Sequence, residues 1–139
     1  MSEIFVYVEG ASDQLGMREL FADIIEIAKQ HGNKVDFYSL NGKKSLLNNG
    51  LKKAINILRN RPNSYVFIVP DLYPPNVLFP HKPPKRIVEV LFNDSEVKYR
   101  DVIDAPWILQ LSDRKELIEK CSQNFRPFVL DMFNILGVK

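Results

Sequence analysis

Apolar positions along the first seventy residues alternate between two kinds of spacing. Ile4-Phe5-Val6-Tyr7-Val8 is an unbroken run of β-branched and aromatic residues, the composition of a strand covered on both faces in a parallel sheet. From Leu15 the spacing becomes helical, through Leu20, Phe21, Ile24, Ile25, Ile27 and Ala28 to Gly32. Ser12 or Asp13 is placed to cap this segment, and the pattern predicts one helix over about 13–31. Val35–Leu40 reads as a second strand and Asn41-Gly42 as a turn. Leu46, Leu47, Leu51, Ala54, Ile55 and Leu58 mark a second helix that ends before Arg61-Pro62, and Tyr65–Val69 is a third strand.

Strand, helix, strand, helix, strand is the order that right-handed βαβ crossovers produce. The expected fold is therefore a three-layer α/β/α sandwich around a mainly parallel sheet. Past residue 70 the pattern loosens. Prolines at 70, 74, 75, 80, 83 and 84 exclude regular helix or central strand and predict a loop over 71–84 at the carboxyl edge of the sheet. Arg86–Phe92 fits neither periodicity cleanly and is read as a short helix, with a strand as the alternative. Asp94–Asp104 is polar and acidic, and Trp107–Leu111 reads as a further strand. Ser112 or Asp113 then caps a helix in which Leu117, Ile118 and Cys121 share a face, and a last helix spans Pro127–Leu136 with Gly137 as its stop. The 139 residues suit one domain, with a core over 3–70, the proline-rich loop, and a C-terminal strand and helices over 85–139.

Composition adds exclusions more than assignments. With 45% apolar residues the chain can build a real core, and a net charge of +2 from 19 basic and 17 acidic side chains does not by itself announce a nucleic-acid or membrane protein. The single cysteine excludes an intramolecular disulfide and a cysteine-rich zinc site, and Cys121 reads as a small buried apolar group. Neither a signal-like segment nor a membrane span is evident, so a cytoplasmic protein is expected. There is no Walker loop, dinucleotide glycine fingerprint or serine or cysteine nucleophile motif.

The chemistry concentrates at two strand ends. Glu9 closes the first apolar run and Asp71 follows the third. In a parallel α/β sheet ligands bind at the carboxyl ends of strands, where two carboxylates on neighbouring strands can share a divalent metal. Magnesium, with manganese as the alternative, is held by one or two carboxylates plus phosphate oxygens and water. Glu9 would be general base or second ligand and Asp71 the main ligand; the competing role for both acids is to cap the turns that follow them. Asp13 reads first as a first-turn helix acid, and Ser12 as an N-cap or a phosphate contact.

Lys43 and Lys44 head a stretch from 41 to 61 that has six cations and no acid, and they directly follow the second strand, where they can meet phosphate. Arg86 and His81 are further phosphate candidates from the loop region, with His81 also a candidate metal contact. Tyr73 stands two residues beyond Asp71 and cannot replace a carboxylate at neutral pH. His31 reads as a helix-end partner.

Val8-Glu9-Gly10-Ala11-Ser12-Asp13 resembles the first motif of the Toprim superfamily, the metal-binding domain of topoisomerases, primases and OLD-type nucleases. In that motif a strand ends in Glu-Gly before a polar pair that opens a helix. The superfamily's second motif is Asp-x-Asp, and Asp71-Leu72-Tyr73 matches its first aspartate only. A narrower Toprim-like branch, related to the OLD nucleases and associated with bacterial defence, is similar at Asp71-Leu72-Tyr73-Pro74-Pro75, Phe79-Pro80, Leu58-Arg59-Asn60-Arg61-Pro62 and Gly42-Lys43-Lys44. The resemblance covers roughly residues 3–82. It implies a magnesium-dependent nuclease or phosphodiester-processing component of a defence or repair system, with Glu9 and Asp71 as the catalytic and metal-binding acids and with nucleic acid and an ATPase as partners. The alternatives are a non-catalytic Toprim-like module that binds nucleic acid or protein, and an unrelated small α/β domain that binds a nucleotide or forms an oligomer.

Overall fold

The computed structural model describes residues 1–70, 101–123 and 125–138. Three strands, β1 (Glu3–Val8), β2 (Lys34–Ser39) and β3 (Ser64–Val69), form a parallel sheet in the order β2-β1-β3. Between them run α1 (Ala11–Leu20), α2 (Ala22–Gln30) and α3 (Lys43–Asn60); α4 (Asp101–Gln110), α5 (Arg114–Lys120) and α6 (Phe125–Leu136) follow. The strands are level. Glu3 pairs with Lys34 and Ser64 at one end, and Val8 pairs with Ser39 and Val69 at the other.

Alternation along β1 builds two cores. Ile4, Val6 and Val8 join Leu20, Phe21, Ile24 and Ala28 of the α1–α2 region, Val35 and Phe37 of β2, and Val129, Met132 and Leu136 of α6. Phe5 and Tyr7 turn the other way, onto Leu46 of α3, with Tyr38, Leu40, Val66 and Ile68 around them. The sheet is therefore covered on both faces, as its continuous apolar strands require. Phe21, Phe37, Leu46, Val129 and Met132 have no exposed surface, each contributing roughly 1.5–3 kcal/mol of burial.

The segment expected as one helix over 13–31 is two. It begins earlier, with Gly10 as N-cap, and divides at Phe21, whose backbone sits at φ −109°, ψ 16°. The hydrogen-bond ladder continues across the bend, from Phe21 N–H to the Met17 carbonyl (3.0 Å) and from Ile25 N–H to the Phe21 carbonyl (2.9 Å). The bend seats the Phe21 ring between Phe37 (centroids 5.6 Å apart), Phe125 and Phe128 (both 6.0 Å), contacts of the kind that repay a local distortion.

Trp107–Leu111 is not a strand. Residues 101–110 are helical, with Pro106 inside the helix, so the C-terminal strand expected within 85–139 is absent among the described residues. A short apolar run does not distinguish buried strand from helix. α4 lies against α1, where a side chain in place of Gly16 would collide with Cδ1 of Leu109. Cys121 is exposed rather than buried, because α5 ends at Lys120 and the cysteine is its C-cap. Asp113 caps α5 through Lys115 N–H (2.9 Å), Gly137 ends α6 at φ 67°, and His31 Nδ1 lies 2.8 Å from the Ile27 carbonyl at the end of α2.

The free edge of β2 is occupied at Phe37 by side chains. Phe37 points its backbone outward, its N–H donating to Asp36 Oδ1 (2.8 Å) and its carbonyl accepting from Gln14 Nε2 (2.9 Å) and Arg18 Nη2 (3.1 Å). Arg18 Nε also pairs with Asp36 at 3.0 Å. Bonded polar groups at the middle of an edge strand make it a poorer template for another strand. No described helix is long and apolar enough to cross a membrane.

Candidate functional site

β1 is the central strand, so its carboxyl end is flanked on both sides. Glu9 follows Val8 directly and lies beside the ends of β2 and β3, at strand spacings of about 4.8 Å. By the two-residue alternation that turns Phe5 and Tyr7 towards α3, Glu9 belongs to the α3 side of the sheet.

Its backbone is held firmly. Leu40 N–H donates to the Val8 carbonyl (3.1 Å), Gly42 N–H to the Glu9 carbonyl (2.8 Å), and Ser39 Oγ to that same carbonyl at 3.3 Å. Reaching this position requires a reversal that ordinary residues resist. Asn41 adopts φ 57°, and Gly42 sits at φ 115°, ψ 160°, a region occupied essentially by glycine alone. The Asn41-Gly42 turn thus ties the start of α3 to the backbone of Glu9.

Two helices begin at this rim. α1 starts at Gly10, whose N–H donates to Asp13 Oδ2 (3.0 Å), so Asp13 acts in the first turn as the sequence favoured. Ser12 is the second residue of α1 and not its N-cap, a position that Gly10 holds. α3 starts at Gly42, also without a side-chain cap and without an acid in its first turn, and Lys43 and Lys44 are its first two residues. The positive ends of two helix dipoles therefore meet beside Glu9, and the exposed Lys43 and Lys44 open one of the two helices.

The Glu9 carboxylate has one unusual atom. Oε1 is shielded from solvent and accepts no hydrogen bond from any described residue. A shielded carboxylate oxygen without a donor is costly. It is the arrangement expected of a ligand oxygen or of a base whose partner arrives with substrate. Among the described residues no three acids, histidines or cysteines form a metal cage. A hard cation that retains water needs only one or two carboxylates, so Glu9 fits as one such ligand.

The structure brings Glu9, Ser12, Asp13, Lys43 and Lys44 to one rim. Asp71, Tyr73, His81 and Arg86 lie outside the described residues. β3 does end level with β1, so Val69 reaches the same rim. The sequence reading missed Ser39 and the Gly42 N–H, which fix Glu9; the strained Asn-Gly turn after β2 was their signal. In comparison with known proteins, no family model, no curated protein and no solved structure matches the chain.

Proposed function

We propose that the carboxyl rim of this sheet is a divalent-metal-dependent phosphate site, used to process phosphodiesters in nucleic acid. The observation that carries the reading is the solvent-shielded Oε1 of Glu9, which accepts no hydrogen bond from any described residue, at the end of the central strand and beside the starts of α1 and α3. Glu9 would hold magnesium or manganese, with Asp71 two residues beyond β3 as the second acid; the metal, when bound, would supply Lewis acidity and an activated water. Lys43 and Lys44 would neutralise phosphate oxygens, helped by the N–H groups opening α1 and α3. The likeness of residues 8–13 to the first Toprim motif supports this reading, and it extends the proposal to a defence or repair setting with an ATPase partner.

A second reading is a binding module without catalysis, and Tyr73, standing where the Toprim motif has its second aspartate, favours it. Hydrolysis assays on single-stranded and duplex DNA and RNA, with magnesium or manganese, separate the two. The enzymatic reading expects cleavage that is lost in Glu9→Gln and Asp71→Asn and weakened in a Lys43→Ala, Lys44→Ala double variant. Salt-dependent binding without cleavage establishes the module instead. Cleavage unchanged in Glu9→Gln removes the site from consideration.

A further inference from the structure

Helix α3 is apolar on two sides, and the fold uses only one. Leu46, Gly50 and Ala54 are buried against the sheet. Leu47, Leu51, Ile55 and Leu58, at successive spacings of four, four and three residues, remain 48%, 55%, 43% and 56% exposed. Those spacings place them on one continuous stripe along the helix, where a surface helix ordinarily carries polar residues. Four half-exposed large side chains present on the order of 400 Å², the size at which an exposed patch marks an interaction surface. The upper part of the stripe lies in a shallow groove that Lys44, Asn48 and Lys52 also line.

Charge selects the occupant. Helical periodicity puts Lys52 and Arg59 along the margin of the stripe away from the sheet and Lys44 at its N-terminal end. Segment 41–63 contains six cations and no acid. A second copy of this chain laid along the stripe would set those cations against their own counterparts, an arrangement that disfavours association. Nucleic acid would answer the charge and leave Leu51 and Ile55 uncovered. We propose that the outer face of α3 docks an acidic amphipathic helix of a partner protein, whose apolar residues cover the leucine and isoleucine stripe and whose carboxylates meet the three cations. This face shares Lys44 with the rim site, and the inference stands whether or not Glu9 binds a metal.

The test uses the full chain and three synthetic, fluorophore-labelled peptides: an amphipathic helix with leucines at three- and four-residue spacing among glutamates, the same peptide with lysines for glutamates, and a scrambled acidic peptide. Anisotropy should show binding of the first alone, weakened by salt and by at least about tenfold in Leu51→Glu and in Ile55→Glu. Both variants should keep the wild-type thermal midpoint within about 2 °C. They also retain Lys43 and Lys44, so lost peptide binding is distinct from failure of the rim site. Four outcomes overturn the proposal: no binding of the acidic helix, equal binding of the lysine peptide, a large fall in midpoint in both variants, or a concentration-dependent dimer that Leu51→Glu dissolves. The third would mean that the stripe packs against the chain itself, the fourth that it receives a second copy.

Discussion

Replacing Arg114 with methionine should cost about 2–3 kcal/mol of stability. Arg114 opens α5 yet reaches back ninety-one residues to Asp23, pairing with both carboxylate oxygens at 2.5 and 2.7 Å. Nη1 also donates to the Leu20 carbonyl (3.0 Å), and the guanidinium lies 5.5 Å from the Phe21 ring centroid and 5.8 Å from that of Phe133. One side chain therefore fastens α5 and α6 to the bend between α1 and α2. The Asp23 side chain is 59% exposed and Arg114 only 19%, so the ion pair itself is discounted for solvent screening to about 0.5 kcal/mol. The bond to Leu20 contributes about 1 kcal/mol, and the two ring contacts about 0.5 kcal/mol each or somewhat more. Methionine keeps the apolar stem and loses every polar contact.

Urea denaturation should show a lower midpoint with an unchanged slope, and the thermal midpoint should fall by about 8 °C. Asp23→Asn, which removes only the ion pair, should cost about 0.5 kcal/mol at neutral pH. The Arg114 guanidinium holds the Asp23 carboxyl below its ordinary range, chiefly by hydrogen bonding. A depressed folded-state pKa gives stability that is present above the unfolded value near 3.9 and is lost as pH falls through the folded value. The difference between wild type and Asp23→Asn should thus be full at pH 6 and vanish under strongly acidic conditions. The reasoning fails if Arg114→Met costs no more than Asp23→Asn, because the Leu20 and ring contacts would then contribute nothing.

Gly16→Leu should destabilise by about 2 kcal/mol, measured by urea unfolding, since the new side chain must displace Leu109 and part α1 from α4; an unchanged midpoint would contradict that close approach. Gly42→Ala should cost about 1–3 kcal/mol from its backbone conformation alone, and amide exchange should locate the loosening at residues 39–46; wild-type stability would contradict the strained turn. Cys121 should react stoichiometrically with a thiol reagent in the folded protein, without urea; protection until unfolding would show that the thiol is covered.

The N-terminal half of the fold was legible because its signals are local. Continuous runs of β-branched and aromatic residues distinguish β1 and β3 from helices, and Asn41-Gly42 can hardly be anything but a turn. The strand ends followed, which is why Glu9, Lys43 and Lys44 could be placed on one rim before their geometry was known. The bend at Phe21 was not legible, since the residue keeps the helical spacing and the ladder runs on through it; only the distant rings of Phe37, Phe125 and Phe128 make the bend worthwhile. Trp107–Leu111 was misread because a short apolar run carries no periodicity that separates strand from helix, and most of it belongs to a helix that holds Pro106. Cys121 was misassigned by one position of helix length. Arg114 looked like any first-turn cation, and its role rests on partners far away in sequence.

The central claim is that Glu9 is a metal ligand, and magnesium-dependent thermal stability tests it most directly. At a free magnesium concentration ten times a millimolar Kd, binding to the folded state alone adds about 1.4 kcal/mol, a rise in midpoint of about 4 °C for a chain of this size. Wild type should show that rise, saturating with concentration, and Glu9→Gln should not. An equal rise in both proteins, or none in either, would contradict the assignment.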